Sequence, residues 1–93
     1  MNQARNLTEW TEAVLDRDGY VCQYPGCGKN TCLDAIHLIA RSADKGLRLY
    51  IPNGAACCRP HHIYLDNNRA EKERFIAYVL DQRRKGYALV AAA

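Results

Sequence analysis

Between residues 57 and 62 the sequence reads CCRPHH, which sets two thiols and two imidazoles within six consecutive positions. Upstream, Cys22 and Cys27 bracket QYPG, a stretch whose Pro25 and Gly26 fold the chain back on itself, and Gly28 then lets the chain leave the turn. Zinc takes four thiolate or imidazole ligands at tetrahedral corners, and two short-range pairs on separate turns supply that set with little distortion. The expected pairs are Cys22 with Cys27 and Cys58 with His61. Buried, inert cysteines are common, but four such ligands so closely grouped exceed what packing requires. Cys32 and Cys57 are surplus. Their apolar neighbours point to core packing, with Cys57 an alternative to Cys58 as a ligand.

These residues have to be positioned by a small number of elements. Leu7, Trp10, Val14 and Leu15 recur at helical spacing, with Asn6 or Thr8 as the N-cap and Gly19 placed to stop the helix. Turn chemistry fills the segment RDGYVCQYPGCGKN, and TCLDAIHLI is short and apolar enough to read as a strand. A long polar excursion, ARSADKGLRLYIPNG, follows, with a short extended piece expected at Leu49 to Ile51. After NGAACC, a strand or turn, a short helix carries His61, His62 and Leu65. A capping box from Asn68 to Glu71 opens the last helix, over about residues 69–85. Its apolar stripe is Phe75, Ile76, Val79 and Leu80. Arg83, Arg84 and Lys85 precede Gly86, in keeping with a helix C-terminus, with DNA backbone contact as the other use of those cations. The tail YALVAAA has no assigned element. The order of elements predicts a small α+β domain.

With 93 residues the chain is a single domain near the lower end of what an apolar core alone stabilises, so a metal staple suits it. The formal charge of +3 permits a polyanionic partner without requiring one. No apolar run is long enough for a membrane span. The polar, acid-containing MNQARNLTEW is unlike a signal or transit peptide. Five cysteines without such a signal point to metal binding in a reducing compartment, and the expected location is cytoplasmic.

From RDGYVCQYPGCG through LDAIHLIARS to NGAACCRPHHIYLDN, about residues 17–67, the chain resembles the HNH endonucleases of the ββα-metal superfamily. Three motifs occur in order: Ile36-His37-Leu38, then Asn53, then Cys58 to His61 with His62 immediately after. The resemblance implies a zinc-stapled ββα-metal domain with flanking N- and C-terminal helices. His61 stands where the family usually has a zinc-binding Cys, and His62 where it has the ligand of a catalytic divalent ion, Mg²⁺ or Mn²⁺. The two adjacent histidines would then serve different metals.

The implied reaction is metal-dependent hydrolysis of DNA phosphodiester bonds, nicking or cutting the duplex. His37 is the expected general base, since an imidazole titrates near the working pH. His62 would hold the ion. By resemblance Asn53 fixes the loop that positions His37. Arg41, four residues beyond His37, can pair with a phosphate oxygen or be an ordinary surface charge. Most of the family places Asp or His just before the base, where this chain has Ile36. Strand alternation puts Asp34 on the same side as Ile36, as a candidate second ligand, and Ile36→Asp is expected to tighten the site. The alternative function is a catalytically weakened, zinc-stapled nucleic-acid-binding module; a third is a zinc domain that binds another protein. DNA is the expected partner, with targeting supplied by a second copy of the chain or a larger nuclease or packaging assembly.

Overall fold

Asn6 starts the first helix, α1 (Leu7–Arg17), by accepting a hydrogen bond from the Glu9 amide at 2.9 Å. Of the two N-cap residues read from the sequence, Asn6 is the one used. Trp10 and Val14, one turn apart, are the buried positions of α1. The helix ends in two successive positive-φ residues, Gly19 and Tyr20. Asp18, fully buried at its end, accepts from the Ala56 amide at 2.8 Å and pairs with Arg17. That buried carboxylate ties the end of α1 to the sheet. The computed structural model describes residues 2–40 and 43–85; Arg41 and the tail YALVAAA lie outside them.

The sheet is a two-stranded antiparallel pair of β1 (Leu33–His37) and β2 (Gly54–Cys58), in a register that sets Ile36 opposite Ala55 and His37 opposite Gly54. A short helix, α2 (Arg59–Asp66), follows β2 directly, with Pro60 in its first turn where the missing amide costs nothing. The longest helix, α3 (Arg69–Arg84), comes after two intervening residues. The described residues form a small α+β domain of one antiparallel pair and three α-helices, with two 3₁₀ turns between the strands. Ile36, Leu38, Cys57, Leu65, Phe75 and Val79 belong to one core between the sheet, α2 and α3.

Three local expectations give way to the structure. The extended piece at 49–51 reduces to one bridge, Tyr50 with Gln3, and Ile51–Asn53 form a 3₁₀ turn started by Pro52. The capping box does not form. Only Asn67 and Asn68 join α2 to α3, and the terminal carbonyls of α2 claim both side chains: Asn67 donates to Ile63 O and Asn68 to Tyr64 O, each at 2.8 Å. Glu71 pairs with Arg74 instead. Leu80, read as part of the apolar stripe, is half exposed, whereas Phe75 and Val79 are buried.

At the end of α3 the three cations divide. Arg83 turns inward, donating to Pro52 O at 2.6 Å and to Gly54 O at 2.7 Å. Burial, with Arg17 nearby, pulls its guanidinium down to about 10. Arg84 and Lys85 both pair with Asp81. Arg17 also donates to Gly54 O, at 2.6 Å, so two helix ends grip the backbone at the start of β2. Among the described residues no helix is long and apolar enough to cross a membrane.

Candidate metal centre and adjoining cleft

The knuckle before β1 is drawn closed by Cys22 N–H to Lys29 O and Cys27 N–H to Tyr24 O, with Gly26 and Gly28 at positive φ. It faces the junction of β2 and α2. There the ligand atoms of Cys22, Cys27, Cys58 and His61 all lie within 4.8 Å of one another. Cys27 Sγ is 3.9 Å from Cys58 Sγ; His61 Nδ1 is 3.2 Å from Cys58 Sγ and 3.9 Å from Cys22 Sγ. Metal–ligand lengths typical of tetrahedral zinc separate such atoms by about 3.5–3.8 Å. The four side chains therefore fit a structural zinc ion, as read from the sequence. Tyr24 stacks on the His61 ring at 4.0 Å and fixes its plane.

The surplus cysteines part company. Cys57 is fully buried, as expected, and lies outside the group of four. Its hydrogen bond to Cys22, together with burial, pushes its own thiol strongly upward, and the same bond draws Cys22 down to about 4. A protonated Cys57 thus supports a Cys22 thiolate. Burial pushes Cys58 up to about 11 when no cation is present to hold its thiolate. Cys32, also assigned to packing, is instead exposed; it sits at the bend into β1 with φ of 53°.

The residue beside His61 faces elsewhere. Successive helical positions differ by about 100°, and His62 lines a cavity of about 510 Å³ together with Trp10, His37, Asp66 and Lys72. His62 Nδ1 lies 2.9 Å from Asp34 Oδ2, and Nε2 lies 3.1 Å from Asp66 Oδ2, one helical turn on. Arg59 also pairs with Asp34, and Lys72 with Asp66, so His62 sits in the middle of a run of five paired side chains, of which His62, Asp66 and Lys72 line the cavity. The Asp34 carboxyl is held below its usual range, first by Arg59 and then by His62, against partial burial.

His37, at the end of β1, lines the same cavity. Its Nε2 lies 2.9 Å from Arg48 O. A carbonyl can only accept, so Nε2 carries the hydrogen and, in the neutral ring, Nδ1 holds the lone pair. Asn53 closes the intervening loop: its side chain accepts from Ile39 N–H at 2.8 Å and donates to Ile39 O and Leu47 O. Leu38 N–H donates to Asn53 O, so the residues just after His37 are tied to Asn53 by both backbone and side chain.

His37 and His62, separated by 24 residues in sequence, share the cavity, and Asn53 braces the loop between β1 and β2. Asp34 lies behind His62, on its Nδ1 side. Ile36 is buried in the core among Leu38, Leu65 and Phe75, so the expected gain from Ile36→Asp does not follow from its surroundings. The sequence reading missed Asp66 and Lys72; the signal available for Asp66 was its four-residue spacing from His62 on one helix. No protein-family model matches the sequence, no curated protein matches it, and no solved structure matches the fold.

Proposed function

We propose that this chain is a metal-dependent endonuclease of the HNH type, which hydrolyses DNA phosphodiester bonds at the cavity between α1, β1 and α2. One observation carries the reading: an imidazole from the end of β1 and an imidazole–carboxylate pair from α2 line the same cavity. The order of hairpin then helix, the zinc-fitting group at their junction and the bracing by Asn53 support it.

His37, hydrogen-bonded through Nε2 to Arg48 O, would take the proton of the attacking water at Nδ1. The water oxygen bonds to phosphorus as the bond from phosphorus to the 3′ oxygen breaks. His62 Nε2 and Asp66 would hold the divalent ion, Mg²⁺ or Mn²⁺. Their 3.1 Å separation suits neighbouring ligands of an octahedral ion with bonds of about 2.1 Å. Such an ion supplies positive charge to the phosphate and to the departing oxygen. Asp34 then acts on the far nitrogen of His62, fixing its tautomer as a carboxylate behind a metal-bound imidazole does. Asp66 thereby offers the carboxylate that Ile36 cannot. Lys72, at the cavity rim, offers a cation to a phosphate oxygen.

A second reading, a zinc-stapled module that binds nucleic acid without cutting it, draws on one feature. Both ring nitrogens of His62 already face carboxylates, an arrangement that is self-sufficient as an ion-pair network. Incubating the protein with supercoiled plasmid in EDTA, Mg²⁺, Mn²⁺ or Ni²⁺ separates the two. Nicking that needs the added ion and disappears in His37→Ala supports the nuclease; DNA retention with no cleavage under any ion supports the binding module.

A further inference from the structure

We propose that Trp10 is a positioning residue for His37, holding the plane of the imidazole at the cleft. The catalytic consequence rests on the nuclease reading above. The indole and imidazole rings are stacked, with centroids 3.9 Å apart and planes 8° from parallel. Core packing alone asks only for volume, whereas here both rings are also oriented by hydrogen bonds. His37 Nε2 meets Arg48 O at 2.9 Å, and Trp10 Nε1 donates to Tyr50 O at 3.0 Å. The two carbonyls are two residues apart on a single stretch of loop, so that stretch sets both rings together.

The sheet leaves room for this arrangement. Gly54 lies opposite His37 in the strand register. A Cβ at Gly54 would stand 2.6 Å from Trp10 Cζ2 and 2.6 Å from Val14 Cγ2. The absent side chain is the space that the buried indole occupies beneath the strand ends. Tyr50 is itself bridged to Gln3, and α1 is tied to β2 through Asp18 and Ala56. The indole is therefore fixed from both sides. The stack restrains rotation of the imidazole out of its plane, and the Arg48 carbonyl restrains its tilt within that plane. A base aimed at an attacking water needs both restraints, since misplacement of a reacting group by about 1 Å can cost on the order of 10²-fold in rate.

The test pairs a ring-current measurement with kinetics on the zinc-loaded protein. An indole face at this distance shifts the His37 Cε1 proton upfield in the NMR spectrum, and the resonance is assigned by its loss in His37→Ala. Trp10→Leu should abolish that displacement and lower the kcat of plasmid nicking in Mn²⁺ by about 10²-fold, with KM unchanged. Trp10→Phe, which keeps a stacking face, should retain much of both. If Trp10→Leu does not fold, Trp10→Phe decides: displacement and kcat moving together support the proposal, and full kcat with the displacement lost overturns it. Absence of the displacement in the parent protein overturns it whatever the activity. A parent with the displaced resonance and no cleavage overturns the nuclease reading instead, leaving Trp10 as the rest for a non-catalytic His37.

Discussion

Asp34 and Asp66 lie on opposite nitrogens of one imidazole, and their chemistry differs accordingly. A carboxylate on the ring edge away from an ion tunes it, and losing such a partner typically weakens metal affinity by about 10–100-fold. Asp34→Asn should therefore raise the Mg²⁺ or Mn²⁺ concentration needed for half-maximal nicking by about that factor, while nicking at saturating ion stays near the parent's. Asp66→Ala should do more, removing cleavage at every ion concentration tested. A titration in which Asp34→Asn is the inactive variant and Asp66→Ala the merely weakened one would reverse the two roles. Neither assignment was fully legible in the sequence. Strand alternation set Asp34 on the side of Ile36, whereas its engagement with Nδ1 of His62 depends on where α2 crosses the strand. Asp66 becomes visible only once α2 is known to continue a full turn past His62.

At the scale of elements, β1 separates its two faces sharply. Ala35 and His37 line the cavity, while Ile36 enters the core shared by the sheet, α2 and α3. Ile36→Asp should consequently destabilise the domain by about 3–5 kcal/mol, the cost of an uncompensated buried charge. Denaturant unfolding checks this, and a variant as stable as the parent would show that Ile36 is not seated in the core. The helices, β1 and the knuckle were readable because each has its own local signal: apolar period, cap, turn residues. What escaped were places where neighbouring elements compete. The Asn68 capping box was lost to the carbonyls of α2, only two residues away, and Arg83 was drawn inward by backbone carbonyls that sequence cannot place beside it. Cys32 carries no feature that marks it as an exposed bend, since positive φ is uncommon in any residue but glycine.

For the whole molecule, the Cys22, Cys27, Cys58 and His61 group joins the knuckle to the start of α2, elements otherwise held by a core of modest size. Metal binding at such a group is folding free energy. Purified protein should carry about one zinc per chain, and stripping it with a strong chelator should abolish the cooperative thermal transition. Elemental analysis beside calorimetry checks both, and a zinc-free chain that melts like the loaded one would remove the staple from the account. Ligand thiolates must be deprotonated, so acid should release the ion and unfold the chain together.

On the proposed nuclease reading, His61 and His62, adjacent in sequence, belong to separate centres, one for zinc and the fold and one for cleavage. The nicking rate of zinc-loaded His62→Ala on supercoiled plasmid tests it most directly, with zinc content measured on the same sample. His62→Ala should fold, carry the parent's zinc and give no nicking in Mg²⁺ or Mn²⁺. Nicking at the parent's rate, or a His62→Ala protein that has lost its zinc, would contradict that assignment.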